Sequence, residues 1–166
     1  MQHTSIIQPN LKQVSPRLTF MFNREVPANS QILEQATIIL VNGNSQVKFA
    51  GTSGLPGYQY WGASKIKRAG RIPTCKQSNI SNYIVATNPL PMPHTKGVNG
   101  NFYAITPFII DVNGHPRGDF GIHRDANVPG SAGCPVITIP DHWIKFEVAM
   151  KVLADAKILS IPLFIN

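Results

Sequence analysis

The sequence is short of cysteine, of acidic residues and of charge altogether, and it has no long apolar run. Two cysteines in 166 residues, Cys75 and Cys134, do not make a disulfide framework. No segment reaches the roughly 18 apolar residues of a membrane span. Met1 to Lys12 lacks an apolar stretch of signal-peptide length, so the expectation is a soluble chain without a Sec signal. Charged residues make up 14% against 43% hydrophobic, which excludes a disordered chain. No internal repeat and no linker divides it. The reading is one domain over 15–166 behind a loose polar arm at 1–14, and a monomer is expected.

Eight Asp and Glu stand against 15 Lys and Arg, a formal net charge of +7. Such a field draws anionic partners: nucleic acid, an acidic membrane surface or an anionic cell wall. The densest basic stretch, with Lys65, Lys67, Arg68 and Arg71, comes with no nucleic-acid-binding motif. It suits a solvated face or a site for glycan or peptide carboxylates.

Fourteen prolines and thirteen glycines favour a turn-rich β protein. Leu18, Phe20 and Phe22 alternate as in a half-buried strand. Ala36–Val41 and Gln46–Ala50 flank Asn42-Gly43, a hairpin signal. Further strands are expected at 82–88, at 102–112 with an interruption at Thr106-Pro107, at 136–139, and at 158–165 broken by Pro162. Asn113-Gly114 reads as another turn. One helix is expected, opening with Asp141 as N-cap and turning Trp143, Phe146, Met150 and Leu153 to the core. This is a mainly β fold, barrel-like or sandwich, with a helix in its C-terminal half. Gly51 to Gly62 reads as a loop whose Tyr58, Tyr60 and Trp61 either line a substrate groove or cap the core.

The chemistry concentrates in Gly118-Asp-Phe-Gly-Ile-His123 and Ser131-Ala-Gly-Cys134. A strand ends on a histidine, and eleven residues later a cysteine sits in a glycine turn that opens another strand. That spacing suits two strand ends joined by a loop that folds back, bringing ring and sulfur together. A thiol attacks as thiolate, and a neighbouring imidazole takes its proton. Gly133 permits a positive φ and keeps a Cβ away from the sulfur. Cys75, with no histidine near in sequence, ranks behind Cys134 as nucleophile.

The His and Ser-x-Gly-Cys pair resembles the active-site signature of the L,D-transpeptidase (YkuD-like) catalytic domain, in its compact branch. Val47–Gly54 with its Ser53-Gly54 turn, Gly70-Arg-Ile-Pro73, and Phe120 with Ile122 extend the resemblance over roughly 36–140. The sequence departs from the commoner family form in Ala132, where a second histidine stands, and in Pro135. The resemblance implies an L,D-transpeptidase-like fold and no cofactor. It implies acyl transfer on peptidoglycan stem peptides, as transpeptidase or L,D-carboxypeptidase, through a Cys134 acyl-enzyme with His123 as base. The Gly133–Cys134 turn would supply the oxyanion donors. Ser131, Asp125 or a main-chain carbonyl would orient the imidazole, and Arg117 and Arg124 are candidates to hold a substrate carboxylate. A chain without a leader would reach the wall by lysis, a contractile injection device or a specialised secretion route.

Two rival readings follow from the same residues. His115, Asp119, His123 and Cys134 have zinc-ligand chemistry, though their spacing matches no zinc pattern. A non-catalytic wall-binding or phage or injection-particle structural protein would also have such a composition, but has no need of His123 and Cys134.

Overall fold

The computed structural model describes residues 14–166, so the expected arm lies outside the described residues except for Val14. Strand β1 (Arg17–Phe22) buries Leu18 and Phe20, and β2 (Ala36–Asn42) buries Ala36, Ile38 and Leu40, as their alternation requires. A hairpin joins β2 to β3 (Ser45–Thr52). Asn42 pairs with Ser45, so the turn residues are Gly43 and Asn44, one position later than expected. Gly43, at φ +59, supplies the positive φ, which frees Asn42 to stay in the ladder.

A Gly-rich loop with one turn of 3-10 helix (Trp61–Lys65) leads to β4 (Tyr83–Ala86), β5 (Leu90–Met92) and β6 (Gly100–Thr106). The expected 102–112 strand divides at the cis Thr106-Pro107 bond. Its second half, β7 (Ile109–Val112), forms a separate hairpin with β8 (His115–Gly118), turning through Asn113 at φ 53 and Gly114 at φ 82. Then come β9 (Gly121–Arg124), β10 (Val136–Ile137), α1 (Pro140–Asp155) and β11 (Ser160–Ile165).

The larger sheet runs β4-β11-β1-β2-β3-β10-β9-β6, and pairing of β4 with β6 closes it into a barrel-like ring. β5 lies along the first half of β6. The fold is mainly β, as expected. β11 continues through Pro162 and is not broken there: Pro162 pairs with Ile84 of β4, and the parallel ladder with β1 begins at Leu163, past the missing N–H. β10 stops at Ile137, two residues early, because Pro140 already opens the helix.

Asp141 is not the N-cap. Ile139 flanks the helix, Pro140 takes the first position, and Asp141 lies in the first turn, where its charge suits the helix dipole. α1 buries Trp143, Phe146, Met150 and Leu153, the expected stripe. Phe146 meets Phe49 and Tyr103 edge-on and stacks on Trp143. Each such buried side chain contributes about 1.5–3 kcal/mol.

The functional consequence lies in β9 and β10. They are parallel neighbours, with His123 opposite Val136. Residues 125–135 must therefore carry the chain from the end of one strand back to the start of the next. Cys134 is the next-to-last residue of that return, ahead of Pro135.

Candidate active site

His123 is 4% exposed and lies one residue before the end of β9, which continues to Arg124 instead of ending on the histidine as expected. Its Nδ1 lies 2.8 Å from the carbonyl oxygen of Arg124. A carbonyl has no proton to give, so Nδ1 carries the proton and Nε2 keeps its lone pair. The orienting group is thus the main-chain carbonyl, one of the three options in the sequence, and not Ser131 or Asp125. The ring stacks on Phe102, with centroids 6.0 Å apart. Phe102 reaches there across Gly121, where an added Cβ would meet its ring at 2.2 Å.

Cys134 is half-buried and faces the same cavity as His123. The thiol points to the Asp119 carbonyl at 3.9 Å. Burial pushes it up to about 11, against the pull of the Gly121 N–H and the Arg117 guanidinium. Burial also lowers the His123 imidazole, against the pull of the Arg124 carbonyl. At neutral pH both groups rest uncharged, which is the state from which an imidazole acts as general base rather than as half of a preformed ion pair.

The turn around Cys134 is stapled from a distance. Ser53 Oγ accepts from the Ile72 N–H and donates to the Gly133 carbonyl, both at 2.8 Å. Ser131 Oγ donates to the Cys134 carbonyl at 2.5 Å and accepts from the N–H groups of Gly133 and Gly54. Ser131 therefore ties the Cys134 turn to the Ser53–Gly54 turn. Gln59, buried, donates to Thr52 Oγ1 and to the Ser53 and Gly54 carbonyls, fixing the Ser-Gly turn from behind. The Gly133 N–H is engaged by Ser131, whereas the N–H of Cys134 makes no hydrogen bond among the described residues.

Gly133 has φ +131, and an added Cβ would lie 2.5 Å from the Arg117 guanidinium and 2.9 Å from the Phe120 ring. The clearance it gives is toward the protein, not toward the substrate side of the sulfur. Behind it, Arg117 is 3% exposed and donates to the carbonyls of Ser64 and Gly70.

The remaining expected residues lie elsewhere. Arg124 donates to the Asn99 carbonyl at 2.5 Å and lines a different cavity, with Thr138, Trp143 and Ile144. It does not reach the thiol's surroundings. Tyr58, Tyr60 and Trp61 line neither cavity that contains Cys134. Trp61 instead covers the buried Arg71, whose guanidinium lies 5.4 Å from its ring and 4.8 Å from that of Phe22. Trp61 thus covers a buried cation and is not part of the apolar core, and none of the three aromatics lines a cavity at the thiol. Among the described residues, no three His, Cys, Asp or Glu side chains converge to hold a metal ion, and His115 is exposed on β8. Cys75 accepts the Ile165 N–H at 3.3 Å and packs against the core.

No protein-family model, curated protein or solved structure matches the chain.

Phe102, Gly121 and Gln59 carry no recognisable signal in the sequence. Ser53 had one, as part of the Ser-Gly turn in the family resemblance.

Proposed function

We propose that the protein is a cysteine-dependent acyl transferase of the L,D-transpeptidase kind, acting on peptidoglycan stem peptides. The observation that carries the reading is the meeting of Cys134 and His123 at one cavity, with the ring's tautomer fixed by the Arg124 carbonyl. The cavity, about 600 Å³, is of a size for small-molecule or peptide ligands.

His123 Nε2 takes the thiol proton as sulfur attacks the carbonyl carbon of the bond between the diamino acid and D-alanine. The Cys134 N–H donates to the oxygen as it becomes an oxyanion. Collapse breaks the C–N bond, the leaving amine takes the proton from Nε2, and a thioester remains. A second amine then gives its proton to His123, attacks the thioester and returns the proton to sulfur by the same nitrogen. Water in place of the amine gives a carboxylate and an L,D-carboxypeptidase. The resting thiol, pushed up to about 11, also suits a wall-binding protein whose cysteine is inert.

Purified muropeptides separate the two. Disaccharide-tetrapeptide is incubated with and without D-methionine, and products are read by mass spectrometry. Loss of D-alanine, or its exchange for D-methionine, is expected, with at least about a thousandfold reduction in Cys134→Ala at unchanged melting temperature. Binding to sacculi with no product from the reduced wild type would sink the enzymatic reading.

A further inference from the structure

Cys134 stands where two cavities of unlike character meet. The larger holds His123 among mostly apolar side chains that include Leu90, Met92, Phe102 and Phe108, with Lys96 its one Lys or Arg. The smaller, about 330 Å³, is walled by Lys67, Arg68 and Arg117 and does not include His123. Asp119 lines both, so the smaller cleft has three cations against one carboxylate. The two ion pairs among the described residues, Arg24–Glu34 and Lys151–Asp155, involve none of these cations. Arg117 is buried with its guanidinium on the Ser64 and Gly70 carbonyls and over the Phe120 ring, with no carboxylate paired to it among the described residues. A buried cation without a counter-ion is costly, and a ligand that brings the counter-ion relieves that cost. Lys67 and Arg68 are exposed at the rim, with Arg68 held in a left-handed turn at φ 64.

The chemistry assigns a side to each half of the substrate. One imidazole must protonate the amine that leaves and deprotonate the amine that enters. His123 lines the larger cavity, so amines pass through it. The acyl half then extends from sulfur into the other cleft.

We propose that the cleft of Lys67 and Arg68, with Arg117 buried behind it as a fixed positive charge, is a carboxylate subsite that holds an acidic group of the acyl donor. The word donor rests on the acyl-transfer reading; the affinity of the cleft for an anion beside the thiol does not.

The test uses two alkylating reagents of equal reach, anionic iodoacetate and neutral iodoacetamide. Rates at Cys134 are read by mass spectrometry on the full chain, with Cys75 as reference. The iodoacetate-to-iodoacetamide ratio at Cys134 should fall by about fivefold or more in Lys67→Gln/Arg68→Asn, and fall likewise in wild type at high salt. Asn is chosen at 68 because it tolerates the left-handed backbone. The ratio at Cys75 should not follow. A Cys134 ratio that ignores both the substitutions and salt overturns the subsite, even if stem peptides are turned over. A second arm compares stem peptides with free and with amidated carboxylates. The double variant should raise KM for the free form by about tenfold and much less for the amidated form. An equal rise for both forms overturns the donor assignment. A shifted alkylation ratio with no stem turned over keeps the anion subsite and removes the acyl-transfer reading.

Discussion

The strand that brings His123 to the site and the turn that brings Cys134 are held by different kinds of bond. β9 sits between β6 and β10, with Ile122 opposite Tyr103 and His123 opposite Val136, so ladder bonds and a fully buried Ile122 set the ring's position. The Cys134 turn lies outside the ladders. It depends on Ser53, which is 80 residues away in sequence, on Ser131, and on a glycine that lets Arg117 and Phe120 close in behind it. One half of the pair is positioned by repetitive backbone pairing and the other by a few side-chain hydrogen bonds. The first arrangement tolerates change at single surface positions. The second has single points of failure, and substitution at those points tests the contrast.

The largest effect is expected at Gly133. Gly133→Ala sets a Cβ 2.5 Å from the Arg117 guanidinium at a backbone φ of +131. Left-handed strain of about 1–3 kcal/mol adds to an overpacking cost of similar size. The variant should lose about 2–5 kcal/mol in denaturant unfolding and most of its activity. Gly43→Ala has the same sign of φ but open space around the Cβ, so it should show the strain alone. Equal losses at the two positions would mean that the contact with Arg117 and Phe120 does not matter.

Next is Ser53→Ala. It strands the Gly133 carbonyl and the Ile72 N–H in a buried place, at about 1–3 kcal/mol. Because the Cys134 turn loses one of its two serine staples, kcat should fall about tenfold or more beyond what stability explains, with a parallel drop in the iodoacetamide rate at Cys134. A stability loss with full kcat would make Ser53 a core residue and nothing more.

This contrast also explains what could be read from the sequence. The alternation of β1 and β2 and the α1 stripe follow from local periodicity, the turns at 43 and 114 from their glycines, and the strand that carries His123 was legible but runs one residue further, to Arg124. The Cys134 turn was legible as a glycine turn beside a histidine. Its supports were legible only in part: Ser53 stood out through the Ser-Gly turn of the resemblance and Arg117 as a candidate cation, but that they and Gln59 meet this turn follows only from the closed sheet. Arg124 misled because residue type says nothing of direction. It follows His123 on β9, so its side chain points to the opposite face, toward Thr138 and Trp143, while its carbonyl serves the ring. Trp61 was read as groove lining or as a cap on the core; its actual partner, the buried Arg71, is ten residues away in sequence and no local pattern pairs them.

The two halves should also separate by pH. Burial lowers His123, so below its ordinary value near 6.5 the unfolded chain binds the proton that the folded chain refuses. Stability should therefore decline as pH falls below about 6.5, and His123→Gln should flatten that limb. Cys134 is raised from 9.0 to about 11, so its contribution is full below about 9 and lost as pH rises toward 11; Cys134→Ser should flatten that one. Activity should follow the neutral imidazole on the acid side. Rates that fall from pH 6 to 8 would indicate a charged His123 at rest.

The smallest effects are expected in the aromatic loop. Tyr58 and Trp61 are nearly half exposed and lie away from both cavities at the thiol. Trp61→Ala uncovers Arg71 and should cost about 0.5–2 kcal/mol of stability through the lost cation–π contact. Tyr58→Ala has no such partner and should cost less. Neither should change kcat/KM for a soluble muropeptide by more than about threefold, which is under 0.7 kcal/mol. A larger loss on intact sacculi than on the soluble muropeptide would identify the loop as a surface that meets the polymer beyond the reacting peptide. A large loss on the soluble substrate would instead bring the loop into the site, which requires the chain between Gly54 and Arg71 to move against the bonds that Gln59 gives to Ser53 and Gly54 and the one its carbonyl accepts from Arg71.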